Sequence, residues 1–173
     1  EKFRRDIVKR DYPNDDAVAK IKIIEKLGLT FSVNNIIGFP DETRELAFDT
    51  IELNRRFNSD NTSCSILVPF HGTELHSYAV QKGYLDPNVI CSVSNSGESL
   101  LNMPQWDKKD MTRLRDVFAM YIKFPKDRWP EIKRAETDDK LRYKLREEFV
   151  KTYWSDSAAK IEDDIAEAAK GLF

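Results

Sequence analysis

Two stretches of this chain share one layout and decide the fold. They read TFSVNNIIGFPDET over residues 30–43 and SCSILVPFHGTEL over residues 63–75. In each stretch a β-rich run ends in a turn that contains Pro and Gly, and a helical pattern follows. This repeated order of strand, turn and helix predicts a parallel sheet, and parallel sheets bind ligands at the carboxyl ends of their strands. The two turns are therefore the first place to look for a functional site.

Both predicted strands have one polar face. Alternation places Ser32, Asn34 and Ile36 on one side of the first strand, and Ser63 and Ser65 on one side of the second. A parallel sheet that is covered by helices on both faces is apolar on both. The polar side therefore lines an internal hollow, or it belongs to edge strands that are wetted by solvent. We predict the first arrangement: an α/β fold, namely a partial βα barrel with parallel strands, followed by an all-helical C-terminal region.

Hydrophobic periodicity predicts the helices around the strands. They cover residues 15–27, 43–57 and 74–82, and after an irregular stretch further helices begin near residues 107, 137 and 155. Asn14, Thr73 and Asp107 are the predicted caps. The predicted organisation is therefore a barrel portion over residues 1–85, an irregular loop over residues 86–104 and a helical region over residues 105–173.

Composition limits the class of protein. The chain has 173 residues, of which 40% are hydrophobic and 34% charged, and this balance predicts a soluble globular protein with no membrane span. The formal net charge of -2 makes nucleic acid an improbable partner. Two isolated cysteines, Cys64 and Cys91, favour reduced thiols in the cytoplasm. The chain opens in mid-pattern without Met, which predicts a piece of a longer protein.

The two turns also carry a resemblance to a known family. Residues 36–43 (IIGFPDET) and 69–75 (PFHGTEL) resemble the turns that follow the fifth and sixth strands of the radical S-adenosylmethionine (radical SAM) core. Asp41 stands where the family commonly has Gly, and His71 stands where Pro is common. Residues 3–10 are similar to the helix after the family's fourth strand. Residues 102–104 and the helix that holds Tyr121 resemble subfamilies with an N-terminal cobalamin-binding domain.

The resemblance implies an activity for the parent protein. Such an iron-sulfur enzyme reduces a [4Fe-4S] cluster, cleaves S-adenosylmethionine to a 5′-deoxyadenosyl radical and starts radical chemistry on a substrate, here an unknown small molecule. The family holds its cluster with a Cys-x-x-x-Cys-x-x-Cys loop, which this chain lacks. The chain alone is therefore predicted to be inactive, without a cluster, a metal ligand or a catalytic residue, and its partner would be the missing N-terminal half.

The resemblance also implies which residues contact the cofactor. By position, Ile36 and Gly38 flank the adenine, and Leu67 and Pro69 add apolar and backbone contacts. Arg10 matches a basic position that pairs with the cofactor's carboxylate, although a solvated charge at a helix end explains it equally well. With the polar face included, the predicted cofactor-binding set is Arg10, Asn34, Ile36, Gly38, Leu67 and Pro69.

Three further residues have simpler explanations. Glu42 is predicted to organise its turn at a helix start and not to act as a catalytic acid. His71 lies at a strand's carboxyl end, but we expect it only to fill a turn because the sequence shows no Asp, Cys or second His beside it. His76 is predicted to be a surface residue.

The alternative function is a non-catalytic module that binds RNA or protein. Alternating cations and nearby aromatic residues in the C-terminal region could contact bases, but acidic residues interleave with them and favour a solvated helix. The residues concerned are Trp129, Lys140, Arg142, Tyr143, Lys144, Arg146, Tyr153 and Trp154. A homodimer is a further prediction, because an open sheet edge invites pairing with a second copy.

Overall fold

The computed structural model describes residues 1–92 and 97–153, and within them helices alternate with two strands. The order is α1 (Lys2–Asp6), α2 (Asn14–Lys26), β1 (Ser32–Ile37), α3 (Arg44–Asn54), β2 (Asn61–Ile66), α4 (Glu74–Gln81), α5 (Lys108–Lys123), a 3₁₀ turn (Lys126–Arg128), α6 (Trp129–Ala135) and α7 (Asp139–Tyr153).

The two strands pair in parallel, as the sequence predicted. Asn34 lies opposite Ser63 and Ile37 lies opposite Ile66. Ile37 and Ile66 point into the core, whereas Asn34, Ser63 and Ser65 are exposed. The predicted assignment of the two faces is therefore confirmed.

The predicted partial barrel is wrong. In the described part of the chain the sheet has two strands, β1 and β2. Most of the residues that belong to a helix or a strand are in helices. Two strands cannot form a barrel around a hollow, and Asn34, Ser63 and Ser65 on their polar face are exposed. The prediction failed because serine and asparagine alternate with apolar residues in the same way on a barrel's inner face and on a sheet face that contacts water.

Side-chain caps fix where α3, α4 and α5 begin. Thr43 and Thr73 each accept a hydrogen bond from a backbone N–H in the first turn, of α3 and α4 respectively, and Asp107 accepts from Lys109 N and Asp110 N in α5. The predicted caps Thr73 and Asp107 are confirmed. Asn14 is not a cap, because Pro13 already has the extended backbone of an N-cap residue and α2 begins at Asn14 itself.

Helix α5 is the centre of the core. Its apolar stripe, Leu114, Phe118 and Tyr121, is almost fully buried, and so are Trp106 and Met111 near its start. The helix packs against β2 and against α3, α6 and α7. Burial of such large apolar side chains stabilises the fold by about 1.5–3 kcal/mol each.

Arg55, just after α3, fixes the end of α5. Its guanidinium Nη1 donates to the backbone oxygens of Tyr121, Ile122 and Phe124 at 2.7–2.8 Å. Those carbonyls have no partner within the helix, and their partial negative charge attracts a cation. Arg55 therefore stabilises the C-terminus of α5 from a position 66 residues earlier in the chain.

A buried polar network joins α3, α5 and α6. Arg44 donates to Glu136 at 2.6 Å and to Asp110 at 3.0 Å, and the Glu136 side chain is only 1% exposed. Tyr121 Oη and Lys133 Nζ also donate to Glu136, at 2.7 and 2.9 Å. The carboxylate thus has three donors in place of water, as a buried charge requires.

The predicted division of the chain stays a prediction. The helices after residue 105 share one apolar cluster with the sheet, through Ile66, Leu114 and Leu145 among others. The predicted helix after Ser155 lies outside the described residues, and the homodimer through a sheet edge also stays a prediction.

Among the described residues no helix combines the length and the apolar character that a bilayer crossing needs.

Replacement of Gly38 by Ala tests the packing between the first turn and α5. Gly38 has φ +83°, and an added Cβ would lie 3.3 Å from Met111 Sδ. We expect the Gly38→Ala protein to lose about 2 kcal/mol of unfolding free energy, from the left-handed backbone and the close contact together. Gly28→Ala is the matched control, because Gly28 has φ +67° with no atom within 4 Å of the added Cβ. Urea unfolding of both variants measures the difference, and equal losses would contradict the role of Met111.

Candidate functional site

The candidate site is the end of the sheet where β1 leads into its turn. Gly38 turns the chain with φ +83°, and Thr43 then starts α3. Between them, Glu42 Oε2 accepts hydrogen bonds from the backbone N–H groups of Gly38 at 2.6 Å and Phe39 at 2.9 Å. The prediction that Glu42 organises the turn is confirmed.

The buried position of Glu42 changes its acidity. Burial raises the pKa of this carboxyl from 4.5 to about 7, and the two backbone hydrogen bonds oppose the rise only in part. The turn therefore contains a group that changes charge near neutral pH. Glu42 is only 3% exposed, and it is also one of the residues that line the cavity beside β1.

Asp41 ties this turn to α4 and the residues after it. Its φ is +64°, a left-handed conformation that explains why Gly is common at this position in the family that the turn resembles. Tyr78 Oη and Tyr84 Oη donate to its carboxylate, the latter at 2.7 Å, and Lys82 Nζ lies at 3.6 Å. Burial raises the pKa of Asp41, but these donors outweigh burial and hold the pKa below its usual range.

A cavity of about 370 Å³ lies beside β1, between that strand and the helices α1, α2 and α3. Three of the predicted cofactor-binding residues line it: Arg10, Asn34 and Ile36. Ile36 is 48% exposed, and Asn34 Oδ1 accepts a hydrogen bond from Ser63 Oγ at 2.6 Å. The volume of the cavity is at the lower end of the roughly 300–1,000 Å³ that small-ligand sites occupy.

The other three predicted residues lie elsewhere. Gly38, Leu67 and Pro69 are buried at the carboxyl ends of the strands and do not line this cavity. Leu67 N donates to Ile37 O at 2.8 Å, which continues the strand pairing into the second turn. The structure therefore brings together half of the predicted set, and cofactor binding by all six residues stays a prediction.

The cysteines do not provide a site for an iron-sulfur cluster. Such a cluster requires at least three thiolates in this type of loop, and the chain has two cysteines. Cys64 lies on β2, where burial raises the pKa of its thiol and the nearby charge of Glu42 raises it further. Cys64 is therefore held as an uncharged thiol.

A His and Cys cluster is the feature that the sequence analysis missed. His71, His76 and Cys91 have side-chain ligand atoms that all lie within 4.8 Å of one another. The expectation that His71 has no Cys or second His beside it is wrong, because the turn at Gly72 folds His71 back onto the first part of α4. His76 is also not a simple surface residue, since its Nε2 is buried. The pattern H-x₄-H before a later Cys was the available signal.

Two aromatic residues of the proposed RNA-binding region, Trp129 and Tyr153, are half-buried and pack against the core. Trp129 packs against Phe48 and Tyr121, with ring centroids 5.6 and 5.4 Å apart, and Tyr153 packs against Phe124 and Phe149. Tyr143 is 67% exposed, and Trp154 lies outside the described residues. Trp129 and Tyr153 therefore contribute to the core.

Comparison with known proteins gives one informative relative. The chain is 36% identical over 69 residues to a protein of Pyrococcus horikoshii that is named as an uncharacterized methyltransferase. The similarity covers 40% of this chain and 15% of that protein's length. No protein-family model matches the chain, and no solved structure matches it.

Proposed function

We propose that this chain is a segment of an S-adenosylmethionine-dependent methyltransferase of the radical SAM type. The observation that carries the proposal is its 36% identity, over 69 residues, with the protein of Pyrococcus horikoshii that is named as an uncharacterized methyltransferase. That similarity covers a small part of the relative, so the activity, the substrate and the partners of the whole protein are parts of the proposal. The resemblance of the two turns to the radical SAM core supplies the radical type.

The cavity beside β1 supports a role in cofactor binding. A methionine derivative with an adenosyl group offers an apolar ring, ribose hydroxyls and a carboxylate, and the cavity is lined by Ile36, Asn34 and Arg10. Contact with Ile36 buries apolar surface, the Asn34 amide donates and accepts hydrogen bonds, and the Arg10 guanidinium pairs with a carboxylate. Bound S-adenosylmethionine supplies the methyl or 5′-deoxyadenosyl group for the reaction.

The turn residues would hold the strand ends in place while the ligand is bound. Glu42 fixes the backbone of Gly38 and Phe39, and Asp41 fixes the same turn to Tyr78 and Tyr84. The iron-sulfur cluster does not fit this chain, which offers two thiols. The cluster and a cobalamin remain predictions about the longer protein.

The proposal is tested on the longer natural polypeptide that contains this sequence, purified without oxygen and supplied with iron, sulfide, reductant and S-adenosylmethionine. We expect formation of 5′-deoxyadenosine, and a Cys-x-x-x-Cys-x-x-Cys loop upstream in the reading frame. Arg10→Gln and Asn34→Leu should each weaken S-adenosylmethionine binding about tenfold, the loss of one good polar contact.

Lys9→Gln is the matched control, because Lys9 is exposed next to Arg10 but does not line the cavity. Equal binding by all three variants would contradict the proposed cofactor site. Methyl transfer by a polypeptide without the cysteine loop would contradict the radical type and leave the methyltransferase assignment in place.

A further inference from the structure

We propose that His71, His76 and Cys91 bind a zinc ion and leave its fourth coordination position open. The ligand atoms of these three side chains lie within 4.8 Å of one another. They come from three places in the chain: the turn after β2, helix α4 and the loop after α4. This proposal does not depend on the methyltransferase proposal.

The distances are compatible with a tetrahedral ion. With Zn–N of about 2.0–2.1 Å and Zn–S of about 2.3 Å, neighbouring ligand atoms are roughly 3.3–3.7 Å apart. The observed limit of 4.8 Å therefore requires a closure of about 1 Å, which side-chain rotation can supply. His71 is exposed and lies in a turn, so its imidazole can rotate towards the other two ligands.

One ring nitrogen of His76 is in an unfavourable environment. Its Nε2 is buried and has no hydrogen-bond partner among the residues that the structure describes. A buried polar nitrogen without a partner costs about 1–3 kcal/mol, so such a group calls for an explanation. A metal ion between His76, His71 and Cys91 would satisfy this nitrogen directly.

The two imidazole rings and the thiol already lie close together. The ring centroids of His71 and His76 are 4.4 Å apart at an interplanar angle of 37°. Cys91 is 8% exposed, and within residues 1–92 and 97–153 the hydrogen bond of its thiol is a long one, 3.8 Å to Val89 O. Coordination would therefore displace a weak interaction of the cysteine and no strong one.

The ligand set favours zinc over Mg²⁺ and Ca²⁺. Two imidazoles and one thiolate suit an ion of intermediate softness, whereas Mg²⁺ and Ca²⁺ require oxygen ligands. A structural zinc site has four protein ligands, whereas three protein ligands leave a position for water or another small ligand. Because His71 is exposed and Cys91 is buried, the open position lies on the side of His71.

The experiment is a zinc titration of the metal-free 173-residue chain, produced without a polyhistidine tag. We expect one equivalent of zinc with a Kd below about 1 μM, and binding about 100-fold weaker for His71→Ala, His76→Gln and Cys91→Ser. Cys64→Ser is the matched control, because Cys64 lies on β2 outside the cluster and its loss should leave zinc binding unchanged.

A cobalt-substituted sample identifies the sulfur ligand. We expect a thiolate-to-cobalt charge-transfer band that is present in the wild type and in Cys64→Ser and absent in Cys91→Ser. Circular dichroism of the metal-free His71→Ala protein checks that the fold is kept, since this side chain is exposed. Absence of micromolar zinc binding, equal binding by all variants, or binding of copper but not zinc would overturn the proposal.

Discussion

Replacement of Arg44 by Met should lower the unfolding free energy by about 3 kcal/mol, because it leaves two acidic side chains without their strongest partner. Arg44 donates to Glu136 and Asp110, and the side chain of Glu136 is 1% exposed. Tyr121 and Lys133 still donate to Glu136 in the variant, which keeps the loss at the lower end of the usual range for a broken buried pair. Urea unfolding at pH 7 measures the change.

Two further variants separate the network from a general loss of charge. Arg56→Met removes an ion pair with Asp15 whose side chains are 43% and 85% exposed, and we expect a change within about 0.5 kcal/mol. The double variant Arg44→Met with Glu136→Gln should recover part of the loss, because no uncompensated charge then remains buried. If Arg44→Met costs no more than Arg56→Met, the network does not stabilise the fold.

The second large effect concerns Glu42 and pH. The pKa of its carboxyl rises from 4.5 in the unfolded chain to about 7 in the folded protein, so the folded state binds more protons between these values. The stability that this group contributes is complete below pH 4.5 and is lost as the pH rises to about 7. The expected loss is about 3 kcal/mol over this window.

Variants at position 42 test this directly through unfolding free energies measured from pH 4.5 to pH 8. Glu42→Gln keeps an oxygen for Gly38 N and Phe39 N and should remove the decline with pH. Glu42→Ala leaves both N–H groups without an acceptor and should cost about 3 kcal/mol at pH 4.5. Glu45 is an exposed neighbour in the same turn region, and in Glu45→Gln the unfolding free energy should still fall as the pH rises. A decline that persists in Glu42→Gln would show that another group causes it.

Local chemistry made part of this fold predictable. The parallel strands, their two faces and the caps Thr73 and Asp107 each follow from a few adjacent residues, since alternation and capping act over one or two turns of chain. Gly38 and Glu42 were also recognised from a single turn. The number of strands was not predictable, because a polar face does not reveal whether it meets a hollow or bulk water.

Contacts between distant parts of the chain escaped the sequence analysis. Arg44 and Glu136 are 92 residues apart, and the cluster of His71, His76 and Cys91 draws on a turn, a helix and a loop. No local pattern shows which distant charges or ligands meet, since that depends on how α5 and the loop before it pack. The polar network could therefore be found only from three-dimensional positions, and the spacing of the two histidines did not show that Cys91 lies beside them.

The contact between Arg55 and the end of α5 also constrains the time course of synthesis. The guanidinium lies just after α3, but its acceptors are the carbonyls of residues 121, 122 and 124. A nascent polypeptide that has left the ribosome only as far as α4 therefore has its sheet without the helix that covers it. Ile37 and Ile66 then remain in contact with water. Docking of this late helix onto early segments closes a long stretch of chain, and that closure has an entropic cost.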